Sequence, residues 1–124
     1  MLVRPAAPQD IPAIQAIYAD HVLHGLASFE EEPPPVEEMR CRYEDIVGSG
    51  LPYVAAEEAG VVLGYGYCTL YRTRSAYRYT LEDSIYVKNG HQGKGIGKAV
   101  LAELIARCRA LEYRQIVAVI GDSA

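Results

Sequence analysis

Apolar side chains in the N-terminal part of the chain recur at the three- and four-residue spacing of an amphipathic helix. Two such helices are predicted, separated by an acidic, proline-rich turn at 31–35. A short apolar segment at 2–4 precedes them and favours a first strand. The helical stripes are Ile11, Ile14, Tyr18 and Val22 in the first helix and Val36, Met39, Tyr43 and Ile46 in the second.

Further along the chain, the pattern changes to the β-branched and aromatic residues that are typical of strands. Residues 52–56 and 61–70 predict a hairpin, and residues 79–87 predict a third long strand. Gly64 and Gly66 interrupt the second strand of the hairpin. They indicate either a bulge or a place where another part of the backbone approaches closely.

The last part of the chain predicts a helix and a buried strand. A helical stripe runs through Ile96, Val100, Leu104 and Cys108, and the apolar run 116–120 is typical of a strand covered on both faces. The element order is therefore β-α-α-β-β-β-α-β. Three consecutive strands favour an antiparallel meander, and the final β-α-β unit favours a parallel pair with a right-handed crossover. We expect one α/β domain over residues 1–124, with a mixed sheet and helices on both of its faces.

Composition is that of an ordinary globular domain and argues against several partners. Half of the residues are hydrophobic, 23% are charged, and the net charge is −4. No basic patch follows any predicted element, so nucleic acid is not expected as a partner, and no apolar run approaches the length of a membrane span. Cys41, Cys68 and Cys108 are far apart, which favours reduced thiols in a cytoplasmic protein. Cys68 and Cys108 are interpreted as small core residues.

A glycine-rich turn at 90–98, between the third long strand and the last helix, is the most informative segment. The N-terminus of a helix offers unpaired backbone N–H groups and a positive dipole end, which suit a phosphate. The spacing does not match a P-loop, because Ile96 and Gly97 stand where Lys and Ser or Thr are needed. Nor does it match a dinucleotide fingerprint, since the glycine spacing differs and the turn comes late in the chain. A turn without a ligand stays the alternative.

The remaining pattern, Gln92-x-x-Gly95-x-Gly97, resembles the acyl-CoA pyrophosphate loop of the GNAT acetyltransferases. The element order matches the GNAT fold, and the chain resembles the phosphinothricin and methionine-sulfone N-acetyltransferase branch of that family. The resemblance implies that an acetyl group moves from acetyl-CoA to the primary amine of a small, amino-acid-like substrate in a ternary complex. The similar segments are Arg4-Pro5-Ala6, Asp10-Ile11-Pro12, Ile17-Tyr18, Ser28-Phe29-Glu30, Tyr77-x-Tyr79-Thr80-x-Glu82, Ser84-Ile85-Tyr86-Val87, His91-Gln92 and Val117-Ala118-Val119-Ile120.

For the donor, the resemblance implies acetyl-CoA as a co-substrate. Its pyrophosphate would bind backbone amides of the turn, and its pantetheine arm would bond the backbone of the preceding strand as an added strand would. No metal is expected, because His21 and His24 have no third ligand and are interpreted as polar residues at a helix end. The expected donor-binding residues are Tyr86, Val87, Gln92, Gly93, Lys94, Gly95, Ile96, Gly97 and Lys98.

For the acceptor, the chemistry requires a base, since an alkyl ammonium cannot attack a thioester until it loses a proton. The resemblance implies that Glu82 is this general base, with Asp83 as the runner-up. The two side chains point to opposite faces of a regular strand, so only one of them can reach the substrate. Without the resemblance, both are more typical of solvated charges at the end of a strand.

Further candidates for the acceptor pocket lie in two loops. Arg72 and Arg74 would hold a substrate carboxylate, with solvated loop arginines as an equally open alternative. Phe29 would close the pocket and Tyr77 and Tyr79 would line it, although such residues more often pack in a core.

The chain ends at Ala124, shortly after the fifth predicted strand. The resemblance therefore implies a GNAT domain without its C-terminal helix and last two strands, and so without a candidate acid for the leaving thiolate. An uncovered edge on the apolar strand 116–120 would favour a homodimer. Two alternatives stay open: an enzyme that acetylates a protein N-terminus or another amine, and a CoA-binding module without activity.

Overall fold

The computed structural model describes residues 1–24, 30–70, 80–111 and 115–120. Every predicted helix and strand is present, and a short 3₁₀ turn, Pro8–Asp10, precedes the first helix. Within these ranges, no helix has the length and hydropathy needed to cross a bilayer. The elements are β1 (Leu2–Pro5), α1 (Ile11–Leu23), α2 (Val36–Gly48), β2 (Tyr53–Glu58), β3 (Val61–Leu70), β4 (Thr80–Val87), α3 (Ile96–Ala110) and β5 (Gln115–Ile120).

The five strands of the described part of the chain form one sheet in the order in which they occur in the sequence. β1 to β4 are antiparallel neighbours, and β5 runs parallel to β4 after the α3 crossover. The predicted meander and the predicted parallel pair are both confirmed. Directly opposite residues of β3 and β4 include Tyr65 with Tyr86, Tyr67 with Ser84, and Thr69 with Glu82.

The sheet separates two apolar cores, because successive side chains of a strand point to opposite faces. α1 and α2 cover one face and α3 covers the other, as predicted. In β4, Tyr86 belongs to the core beneath α1 and α2, whereas Ile85 and Val87 belong to the core beneath α3. Cys68 and Cys108 are buried in this second core, which confirms their interpretation as core residues.

α3 lies so close to β3 at Gly64 and Gly66 that a side chain at either position would collide with it. A Cβ at Gly64 would lie 2.8 Å from Cγ2 of Ile96, and one at Gly66 would lie 2.7 Å from Cγ1 of Val100. The register between β2 and β3 also shifts at Leu63, the residue next to Gly64. The two glycines therefore mark a close approach, and a bulge adjoins the first of them.

Candidate active site

The glycine-rich turn joins the C-terminal end of β4 to the N-terminus of α3, as the sequence predicts. Gly90, Gly93 and Gly95 have φ values of 88°, 79° and 81°, a region that L side chains rarely adopt. No described atom lies within 4 Å of a Cβ built at these positions, so the turn is open on that side. The Ala99 N–H donates to the Gly95 carbonyl at 3.0 Å, and the amides that precede Ala99 at the helix start suit an anion.

Side chains around the turn either stabilise it through a hydrogen bond or add positive charge beside it. Gln92 Oε1 accepts the Gly90 N–H at 2.8 Å, so the Gln92 carbonyl oxygen closes the turn on itself. This contact explains a glutamine at the start of the pattern as a support for the turn. Lys94 and Lys98 are exposed and place positive charge beside the N-terminus of α3, where it adds to the helix dipole.

The side chains at the start of α3 pack against the sheet. Ile96 is 4% exposed and contacts the space above Gly64. A Cβ at Gly97 would lie 3.6 Å from Cγ2 of Val87 and 3.9 Å from Cγ2 of Ile85, which are ordinary contact distances. An alanine would therefore fit at position 97. The Ile96 side chain is buried and Gly97 has none, so these two positions offer backbone groups to a ligand.

A buried histidine of α1 holds the end of β4. His21 is 2% exposed, and its Nε2 lies 2.8 Å from the Val87 carbonyl oxygen. The carbonyl can only accept, so Nε2 carries the proton. The His21 ring also packs edge-on against Tyr86, with centroids 5.4 Å apart. His21 lies in the last turn of α1, so its interpretation as a polar residue at a helix end is confirmed. Its burial and its contact with the strand expected to bond the pantetheine arm were not predicted.

A cavity of about 280 Å³ lies between α1, α2 and the first core face of the sheet. Its walls are largely aromatic, with Tyr53 stacked on Tyr67 at 5.0 Å between ring centroids and Tyr65 on Tyr86 at 5.4 Å. Such walls suit a small, partly apolar ligand, and ring faces also attract a cation. The residues that line it are Tyr18, Met39, Arg42, Asp45, Ile46, Tyr53, Tyr65, Tyr67 and Thr69.

Glu82 is half-buried and lies beside this pocket, although it is not one of the lining residues. It lies opposite Thr69, a lining residue, and the alternation along β4 places it on the same face as Tyr86. Burial raises the pKa of both Tyr67 and Tyr86, and the carboxylates of Glu30 and Glu82 raise it further. The aromatic pocket therefore lies within the electrostatic reach of two carboxylates.

Asp83 points to the opposite face and is fully buried beneath α3. The Cys68 Sγ–H donates to its Oδ1 at 2.8 Å, and the Cys108 Sγ lies 3.4 Å from the Cys68 Sγ. Burial raises the pKa of Asp83 above its ordinary value. The interpretation of Asp83 as a solvated charge is therefore wrong, and its position in the core is unsuited to the runner-up role of base.

Replacing Asp83 with asparagine should change how stability depends on pH. A carboxyl whose pKa is raised by folding contributes fully to stability below its unfolded pKa, and this contribution is lost as the pH rises through the folded pKa. The amide of the Asp83→Asn variant does not titrate, so the variant should gain stability relative to the parent between pH 4 and pH 7, by about 1.4 kcal/mol for each unit by which the pKa is raised. Urea unfolding at both pH values measures this difference.

The exposed Asp45 offers a matched control, because Asp45→Asn makes the same chemical change outside the core. That variant should track the parent at both pH values. If the free energy of unfolding of Asp83→Asn differs from that of the parent by the same amount at pH 4 and pH 7, then folding does not raise the pKa of Asp83.

A guanidinium of α2, that of Arg42, lines the pocket. Nη1 and Nη2 of Arg42 lie 2.7 and 3.4 Å from Oε1 and Oε2 of Glu30, and its Nε lies 3.2 Å from Glu38. The Tyr18 hydroxyl donates to Glu30 Oε1 at 2.8 Å. Hydrogen bonds from Arg42 hold the pKa of Glu30 below its ordinary value. The sequence shows only the four-residue spacing of Glu38 and Arg42, and no local pattern predicts the pair with Glu30.

Several predicted site residues lie outside the described part of the chain, and their roles stay predictions. Within that part, no group of three or more His, Cys, Asp or Glu side chains is arranged to hold a metal ion. The residues outside it are Phe29, Arg72, Arg74, Tyr77 and Tyr79.

Comparison with known proteins relates this geometry to one family. A family model described as "Acetyltransferase (GNAT) family" matches residues 14–123. The chain is 53% identical to a phosphinothricin N-acetyltransferase of Alcaligenes faecalis, over 98% of the chain and 61% of that protein. It is 37% identical to an L-methionine sulfoximine/L-methionine sulfone acetyltransferase of Salmonella typhimurium, over 95% of the chain and 69% of that protein.

Among solved structures, the chain is similar to a GNAT superfamily phosphinothricin acetyltransferase from Sinorhizobium meliloti, determined in complex with AcCoA. The TM-score is 0.90 at 48% identity, over 94% of this chain and 64% of that one. The chain thus spans a little under two thirds of the length of the Alcaligenes and Sinorhizobium proteins.

Proposed function

Because the chain belongs to the GNAT family of acetyltransferases, we propose that it transfers an acetyl group from acetyl-CoA to the primary amine of a small amino-acid analogue. The observation that carries the proposal is the course of β4. Its C-terminal end enters the open glycine-rich turn, and Glu82 on the same strand lies opposite Thr69, a residue that lines the aromatic pocket. One strand would therefore connect a site for the donor with a site for the acceptor.

The donor site fits the phosphates of acetyl-CoA. Left-handed glycines keep the turn open, and the exposed Lys94 and Lys98 flank the N-terminus of α3. The backbone amides from Gly93 to Lys98 would hold the pyrophosphate, and Tyr86 and Val87 would bond the pantetheine arm. The Sinorhizobium relative, determined with AcCoA, supports this assignment.

At the acceptor site, Glu82 would remove a proton from the substrate ammonium, directly or through a water molecule. The freed amine nitrogen would then attack the thioester carbonyl of acetyl-CoA, the C–S bond would break, and the sulfur would leave as a thiolate. The second proton that the nitrogen loses as the amide forms balances the charge of this thiolate. The ring of Tyr67, which lines the pocket, would attract the ammonium before it loses its proton. Direct attack requires no nucleophile on the protein.

The relatives suggest the class of acceptor, since they are named for phosphinothricin and for methionine sulfoximine or sulfone. The acidic residues that follow Phe29 would suit a cationic peptide as the acceptor. Glu30, the first of them, is engaged by Arg42 and Tyr18. This contact removes part of the support for the peptide and leaves the small amino-acid analogue as the stronger candidate.

A thiol-release assay tests the proposal. Each reaction contains the protein, acetyl-CoA and one acceptor. The acceptors, tested one at a time, are methionine sulfone, methionine sulfoximine, phosphinothricin and a peptide with a free N-terminus. We expect release of CoA thiol with at least one amino-acid analogue and none above background with the peptide. Turnover of the peptide alone would favour a protein acetyltransferase, and binding of acetyl-CoA without turnover of any amine would favour a module without activity. The cytoplasmic location and the homodimer suggested by the sequence stay predictions.

A further inference from the structure

The α2 wall of the pocket contains a guanidinium whose charge is already compensated. Arg42 contacts Glu30 with two nitrogens and Glu38 with a third. Glu30 in turn accepts the Tyr18 hydroxyl, so the carboxylate is anchored to α1 as well as to α2. A cation that is held in this way offers little net attraction to an anionic group of a substrate.

Acidic groups outnumber basic ones around the described walls of the pocket. Asp45 is an exposed lining residue, Glu82 lies opposite the lining residue Thr69, and Glu30 forms an ion pair with Arg42. Arg42 is the basic residue among the described lining residues. The balance favours the ammonium of an acceptor and disfavours an additional negative charge beside it.

Methionine sulfone and phosphinothricin are matched probes of this balance. Each is an amino acid whose two-carbon side chain ends in a tetrahedral group with one methyl and two oxygens. The central atom is sulfur in the sulfone and phosphorus in phosphinothricin, and only the phosphinate is negatively charged at neutral pH. Their shapes are therefore similar, and their side chains differ by one unit of charge.

We infer that Glu30 is a specificity-determining residue, which neutralises Arg42 and thereby makes the pocket select acceptors with an uncharged side chain. The inference rests on the proposed function and sharpens it, because it ranks methionine sulfone above phosphinothricin. Glu30 acts through Arg42 and does not take part in proton transfer.

The test compares kcat/KM for the two acceptors on the same protein sample, so that the fraction of active protein cancels in the ratio. The unmodified protein should prefer the sulfone on the order of tenfold, since like charges repel in a partly desolvated site. Glu30→Gln retains an oxygen for Tyr18 but removes the carboxylate nearest to Arg42, so the Arg42 charge is compensated only by the longer contact with Glu38 among the described residues. It should shift the ratio toward phosphinothricin, again on the order of tenfold.

Two further variants assign the shift to Arg42. In Glu30→Gln/Arg42→Gln, the released cation is absent, so the ratio should return toward that of the unmodified protein. Glu31→Gln removes the same charge from the neighbouring exposed residue and should leave the ratio unchanged. Equal use of both acceptors by the unmodified protein overturns the inference, as does an unchanged ratio in Glu30→Gln or a shift that persists in the double variant.

The inference and the proposed function fail in different ways. If neither acceptor is acetylated, the proposed function fails, and calorimetric titration of the two amino acids into the same four proteins replaces the rate ratio. The role of Glu30 is then still supported if the unmodified protein binds methionine sulfone more tightly than phosphinothricin and if Glu30→Gln reduces this difference. Equal binding of the two amino acids, or no binding of either, overturns it.

Discussion

Glu82→Gln should lower kcat by about two to four orders of magnitude, the usual contribution of a general base, while acetyl-CoA binds as before. Gln is close to Glu in shape, so the half-buried side chain should keep its place opposite Thr69. What it loses is the capacity to accept a proton from the ammonium. Initial rates with saturating methionine sulfone measure the loss, and calorimetric titration with acetyl-CoA measures donor binding.

The pH dependence of the residual activity provides a second readout. Without a base, the reaction depends on the small fraction of amine that is already deprotonated in solution, so the rate of Glu82→Gln should rise as the pH approaches the pKa of the amine. Glu44→Gln, an exposed change on α2, is the matched control and should behave like the parent. Full activity of Glu82→Gln at neutral pH would remove Glu82 from the role of base.

Gly66→Ala should destabilise the protein by about 1–3 kcal/mol, because the new methyl group has no room. It would lie 2.7 Å from Cγ1 of Val100, 3.0 Å from Cδ1 of Leu104 and 3.1 Å from the backbone oxygen of Ser84. Side-chain rotation relieves only part of the clash, since the Ser84 backbone belongs to the neighbouring strand. The midpoint of urea unfolding and its slope measure the change in the free energy of unfolding.

Gly97→Ala is the matched control, since the same methyl group there meets Val87 and Ile85 at 3.6 and 3.9 Å. This variant should be neutral or more stable by up to about 1 kcal/mol, because alanine is the better helix former. Equal losses of stability for the two alanine variants would show that close packing of α3 on β3 is not the cause.

Much of this architecture could be predicted from the sequence, because its signals are local. The apolar periods identify the helices and strands, and the alternation along β4 separates the directions of Glu82 and Asp83 before any contact is known. The glycine spacing predicts an open turn at a helix N-terminus, and the structure has one between β4 and α3.

The contacts that the sequence does not reveal join distant positions. His21 reaches the Val87 carbonyl across 66 positions of the chain, and Arg42 reaches Glu30 across 12. No period or spacing encodes such pairs, since they exist only once the helices are packed on the sheet. The same holds for Asp83, whose polar side chain suggests solvent although the packing of α3 buries it.

The alternation of Glu82 and Asp83 has a consequence for the folding of the sheet. A slip of β4 by one position against β3 would turn Asp83 toward the aromatic pocket and bury Glu82 beneath α3. The apolar residues Leu81, Ile85 and Val87 oppose such a slip, because they would leave their core. Side chains buried beneath α3 thus determine which of the two acids lies on the face of the aromatic pocket, and an error in strand alignment would exchange these two groups without altering one residue.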